Sequence, residues 1–194
     1  MASPFRREGQ RLVATFEAEE IEVVAHVLEL TRAFVAPERP DSGDPFLDLV
    51  EGLGDEVDPE EPSDPALARL LPPASREDAE QAAEFRRLTE HGLRRRKAAT
   101  ISTALGALAQ AEPPVLDIDL DQGRALAIAL TDARLILGER LGLRTDEDSE
   151  RLHEELSAML AGELEVDPGT AQKMAYYDFL SWLQESVTAA LMAR

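Results

Sequence analysis

Glu150 and His153 stand three residues apart in a stretch of helical spacing. On a helix both side chains would point the same way, as the Glu-x-x-His ligands of di-iron carboxylate bundles do. Such a centre needs a second copy of the motif and further inward carboxylates, yet neither His26 nor His91 has a glutamate three residues before it. His153 is therefore expected at a surface or edge, no metal or cofactor is expected, and a metal-dependent helical-bundle enzyme is the last of three readings. Serines do not fall in a Gly-x-Ser-x-Gly elbow, there is no thiol, and no Gly-rich loop could cradle a phosphate. Catalysis by an assembled nucleophile thus has no support in the residues.

The densest cluster of chemistry-bearing side chains is basic: Arg94, Arg95, Arg96 and Lys97, with Arg86 and Arg87 one to two turns earlier. Arg87, His91 and Arg94 share one helical face, as residues that touch DNA or a protein partner would. Against DNA, no aromatic residues interleave to stack on bases, and the cluster lies within one long helix, not in two short helices with an apolar hinge. In a chain this acidic the same cations are expected to pair with Glu84, Glu90 or acids of neighbouring helices. Asp132, Arg134 and Gly138 place an acid, a base and a small residue on an otherwise apolar helix. The expectation there is structural, with Arg134 bonding a neighbouring backbone or carboxylate and Gly138 permitting close helix approach.

The elements that would position these groups follow from periodicity. Residues 171–194 carry Tyr176, Leu180, Leu183, Val187 and Leu191 at four- and three-residue steps, with Phe179 and Trp182 widening the apolar arc. Asp178, Ser181, Glu185 and Thr188 form the opposite stripe. Leu126, Leu130, Ala133, Leu137 and Leu141 mark a second helix opened by an Asp119–Gln122 capping box. The predicted core is accordingly Leu126, Leu130, Leu137, Leu180, Trp182, Leu183 and Val187, with Tyr177 also read as core. A third helix runs from Ser75 and Asp78 through Phe85, Leu88, Ala98, Ile101, Leu105 and Leu108 until Pro113-Pro114. Further helices are predicted over 17–35 and about 148–162.

Near the start, a Glu8-Gly9 turn separates two short stretches in which Leu12, Ala14 and Phe16 alternate with Val13 and Thr15, as a hairpin requires. Val115, Leu116 and Ile118 could add a third strand. From about 36 to 74 the chain is an irregular Pro/Gly/Asp-rich excursion with too few large residues for its own core. The Asp-Pro pairs at 44, 58, 64 and 167 read as helix caps, with the carboxylate accepting free amides and proline at the first helical position. The predicted fold is mainly α, a single-domain helical bundle over 1–194 with a small N-terminal β-hairpin or three-stranded antiparallel sheet.

At 194 residues and a formal charge of −19, with 39 acids against 20 Lys and Arg, the average surface repels phosphate backbones and anionic membranes. No apolar run is long enough to span a bilayer, residues 1–10 lack the apolar core of a secretion signal, and a cytoplasmic location is expected. Nucleic acid is an unfavoured partner and a membrane is not expected.

Three blocks together resemble one family: DPALARLLPPAS at 64–75, LTDARLILGERLGL at 130–143 and YDFLSWLQESVTAALMAR at 177–194. The family is an actinobacterial one of unknown function, often encoded beside the Clp-protease adaptor and cysteine-biosynthesis genes. Some members carry a label as oxidative-stress response regulators that act with the transcription machinery. The resemblance implies regulation, not catalysis. The leading expectation is a non-enzymatic regulatory or adaptor protein that contacts another protein, or a second copy of itself as a homodimer. The alternative is a DNA-binding transcriptional regulator using Arg86, Arg87 and residues 94–97.

The chain contains no cysteine, so any thiol switch of such a family is missing here. Hydrogen peroxide is expected to leave the isolated protein monomeric or dimeric as it was, with any response confined to its methionines or to a partner. A dithiothreitol-reversible dimer on a non-reducing gel is the result that would contradict this.

Overall fold

The computed structural model describes residues 2–36, 61–75 and 77–193, apart from the side chain of Asp146. Their elements are β1 (Arg6–Glu8), β2 (Arg11–Thr15), α1 (Ala18–Val35), α2 (Pro65–Leu70), α3 (Ala79–Ala109), β3 (Val115–Asp119), α4 (Leu120–Arg140), α5 (Asp146–Leu160) and α6 (Pro168–Met192). The three strands form one antiparallel sheet in the order β1-β2-β3. The fold is mainly α with a small sheet near the N-terminus. Much of the predicted excursion lies outside the described residues, as do Asp44-Pro45 and Asp58-Pro59; within it, PALARL forms α2.

Local chemistry sets the ends of these elements. The strands turn at Gly9 and Gln10, where Gly9 alone takes a positive φ of 65°, a conformation that carries no steric cost without a Cβ. Asp119 accepts from the Gln122 amide at 2.8 Å while the Gln122 side chain accepts from the Asp119 amide at 2.9 Å, so the predicted capping box starts α4. Asp64 and Asp167 accept from the amides of Ala66 and Thr170 at 2.8 and 3.0 Å, each with proline at the start of its helix. Gly142, at φ 75°, closes α4 while the Leu143 amide donates to the Gly138 carbonyl at 2.8 Å.

The helices enclose one main core. α4 packs against α6, α3, α2 and α1, and the sheet rests on α4 and α6. Alternation on the sheet turns Leu12, Ala14 and Phe16 inward with Leu116 and Ile118, in the register Leu12↔Ile118 and Ala14↔Leu116. Phe16 lies 5.9 Å from Phe5 and 6.3 Å from Trp182, centroid to centroid, and so joins the sheet to α6. A smaller apolar cluster of Leu143, Leu152, Leu156 and Met174 attaches α5 to α6.

Leu126, Leu130, Leu180, Leu183 and Val187 are fully buried. Leu137 and Trp182 are half-buried at the core's margin, with Trp182 stacked on Phe179 at 5.9 Å. Phe85 and Leu88 of α3 are 52% and 67% exposed, because helical phase turns them away from the face that buries Glu90, Ile101, Ala104 and Leu108. One expectation needs correction: Gly138 is buried, but the helix approach there does not require a glycine, since a Cβ would make ordinary contact with Tyr177, whereas at Gly123 it would overlap Leu12 Cδ1.

Leu183→Ala is expected to cost about 2–5 kcal/mol, the usual range for emptying a buried leucine site, and Glu185→Ala on the exposed stripe less than about 0.5 kcal/mol. Gly123→Ala should cost about 1–3 kcal/mol, because the added Cβ overlaps Leu12 Cδ1 and forces that fully buried side chain to shift. Chemical denaturation of the three variants checks all of these, and equal small losses at 183 and 185 would contradict the packing of α6.

Candidate functional site

The basic cluster of α3 is largely spoken for. Glu90 is 6% exposed and accepts from Arg86 Nη1 at 2.7 Å and from Arg94 Nε at 2.8 Å, one turn before and one turn after it. Arg87 is paired with Glu84 on the surface at 2.7 Å, an exposed contact that holds the Glu84 carboxyl below its ordinary value. Lys97 Nζ reaches across to α4 and meets Asp132 Oδ1 at 2.6 Å. Asp132 is buried and its Oδ2 has no partner among the described residues, so Lys97 is its counter-ion and not a surface cation. Arg95 and Arg96 alone in this cluster are exposed with no hydrogen bond or ion pair among the described residues.

At helical spacing Phe85, Leu88, Gly92, Arg95, Arg96 and Ala99 fall on a single side of α3. All but Gly92 are exposed. The result is a stripe of apolar groups with two unneutralised guanidinium groups at its C-terminal end. His153 is exposed on α5 with Nδ1 3.6 Å from Asp178 Oδ1. No group of three or more His, Asp or Glu that could hold a metal occurs among the described residues.

Elsewhere a cavity of about 260 Å³ lies where α2, α4, the α4–α5 connection, α5 and α6 converge. Its lining includes Arg69, Arg134, Arg144, Thr131, Ser149 and Tyr177, with Leu135 and Leu143 as apolar wall. Among the described residues Arg134 bonds neither a backbone nor a carboxylate, contrary to expectation. Its Nη1 donates to Gln184 Oε1 at 2.6 Å, its Nη2 to the Tyr177 hydroxyl at 3.4 Å, and its guanidinium sits 5.2 Å from the Tyr177 ring centroid. Its Nε is buried with no acceptor among the described residues.

Arg69 and Arg144 share one acid: Glu139 lies 2.7 Å from Arg69 Nε and 3.7 Å from Arg144 Nη2. Asp148, at the start of α5, accepts from the Arg144 and Thr145 amides at 2.9 Å each and from Arg151 Nη2 at 2.6 Å. These bonds, the Arg144 amide first, hold its carboxyl far below the usual carboxylate range. Tyr177, expected in the core, packs half-buried against the Leu143–Met174 cluster and also lines this cavity. No local pattern marks Arg69, Arg144 or Ser149, since the lining comes from three stretches, at 69, 131–149 and 177. The segments 64–75, 130–143 and 177–194 meet at this cavity.

The chain belongs to a family described as a domain of unknown function, DUF2017, whose model matches residues 2–191. No curated protein and no solved structure matches it. No described helix is long and apolar enough to cross a membrane.

Removing Glu90 leaves two guanidinium groups facing each other in a mostly buried site. Glu90→Ala should therefore cost about 3–5 kcal/mol, whereas Glu84→Ala should leave the denaturation midpoint unchanged. Denaturant titration of both variants decides the point, and equal effects would place the Arg86–Glu90–Arg94 cluster on the surface.

Proposed function

We propose that this protein is a non-enzymatic regulatory or adaptor protein that works by contact with a protein partner. The observation that carries the reading is the outer stripe of α3. There Phe85 and Leu88 stand exposed beside Arg95 and Arg96. Two large exposed apolar groups beside cations unpaired among the described residues have the make-up of an association surface, an apolar centre with a charged rim. The complementary partner segment presents an apolar side chain to Phe85 and Leu88 and carboxylates to the two arginines.

The resemblance to an actinobacterial family encoded beside the Clp-protease adaptor and cysteine-biosynthesis genes supports a cytoplasmic role in transcriptional or oxidative-stress regulation. With no cysteine in the chain, the oxidant signal in this reading enters through the partner. A DNA-binding regulator is the competing reading. Arg86, Arg94 and Lys97 are committed to Glu90 and Asp132, which leaves few cations for phosphates in a chain of charge −19.

Capture from the native cell, with and without oxidant, should yield a defined protein with the wild-type chain. It should lose that protein about tenfold or more with Phe85→Ala/Leu88→Ala and with Arg95→Glu/Arg96→Glu, both folded by circular dichroism. Unchanged capture by both variants would overturn the α3 assignment. Salt-dependent binding to the protein's own upstream DNA, weakened by Arg95→Ala, would replace the reading with the DNA-binding one. A concentration-dependent dimer abolished by the same variants would make the partner a second copy.

A further inference from the structure

We propose that the cavity between α2, α4, α5 and α6 binds a small tetrahedral oxyanion, phosphate or a small phosphate monoester, with Arg134 as its central ligand. The inference goes beyond the α3 reading and rests on different residues. In a chain of charge −19, three guanidinium groups line this one cavity. Half-burying a cation costs free energy unless counter-charge meets it, and of the three Arg134 is the one with no acidic partner among the described residues.

Glu139 serves both Arg69 and Arg144. Asp148 is occupied by two amides and Arg151. Arg140, beside Glu139 on α4, is taken by Asp64 at 2.5 Å. Among the described residues Arg134 is met by an amide oxygen, a phenol oxygen and an aromatic face and by no carboxylate, which leaves its positive charge without a counter-ion beside the cavity.

The form of the anion follows from donors and size. Three guanidinium groups with the Ser149 hydroxyl and the Tyr177 phenol offer more N–H and O–H groups than the two oxygens of a carboxylate can accept, whereas a tetrahedral oxyanion can take donors from several directions. At about 260 Å³ the cavity admits a phosphate with a few carbons lying on Leu135 and Leu143. Arg144 is 73% exposed at the side chain, so the ligand can enter from solvent at the start of α5.

Calorimetric titration of the full chain with inorganic phosphate, sulfate, acetate and a three-carbon phosphate monoester, at matched ionic strength, tests this. Saturable one-to-one binding is expected for phosphate and sulfate, tighter for the monoester, and about tenfold weaker for acetate. Arg134→Lys and Arg144→Gln should each weaken phosphate about tenfold, while Arg95→Gln on α3 leaves it unchanged. Arg144 is exposed, so its variant decides the matter even if Arg134→Lys does not fold. No saturable phosphate binding in the wild-type chain, or an equal loss in Arg95→Gln, would overturn the proposal. Loss of partner capture bears only on α3 and leaves this site untouched.

Discussion

The close packing of α4 is the constraint on which the rest of the molecule depends. Gly123, Ala125, Ala129 and Ala133 place small side chains along the helix, while Leu126 and Leu130 fill the gaps between its neighbours. Small residues let backbones approach, and large ones at adjacent positions exclude water. That combination allows one helix to be covered by α6, α3, α2, α1 and the sheet together. At its N-terminal end the absence of a Cβ at Gly123 admits Leu12 from β2, so the sheet's position is tied to one glycine.

A helix covered on so many sides draws counter-charge to the acid it turns inward, although Asp132 Oδ2 and Arg134 Nε stay without a partner among the described residues. Asp132 points into the α3–α4 interface and recruits Lys97 there. Glu90 draws Arg86 and Arg94 inward in the same part of the molecule. Of the six cations that read along the chain as a basic patch, Arg86, Arg94 and Lys97 are thus turned inward, while helical phase leaves Arg87, Arg95 and Arg96 outside. Arg134 is the opposite case, a cation on the central helix whose neighbours are neutral.

The attachment of α5 differs from that of the main bundle. It rests on a small cluster around Leu152, Leu156 and Met174, and its first turn borders the arginine-lined cavity. A ligand in that cavity would touch α2, α4 and α6 as well as the start of α5, and so would add to a junction that apolar area alone secures weakly.

Most of the element boundaries were legible in the sequence because they rest on local rules. The Asp119–Gln122 box, the Asp-Pro caps, the Gly9 turn and the period of α6 each need only a few neighbouring residues. The buried leucines of α4 and α6 were legible for the same reason, since a stripe on one helix can be read without its partner. The outward position of Phe85 and Leu88 follows from helical phase, which sets them opposite Ile101 and Leu108. Two things were not legible. Gly138 looked like the close contact, and only the path of β2 moves that role to Gly123. The cavity combines Arg69, Arg134, Arg144 and Tyr177 from segments far apart in the chain, so no spacing rule connects them. The sequence by itself thus determined the class of fold and the ends of its elements, because hydrogen bonding at caps and burial of a stripe are local. The tertiary structure decided which charges are neutralised and which side chains converge, because those outcomes depend on how one helix is set against another.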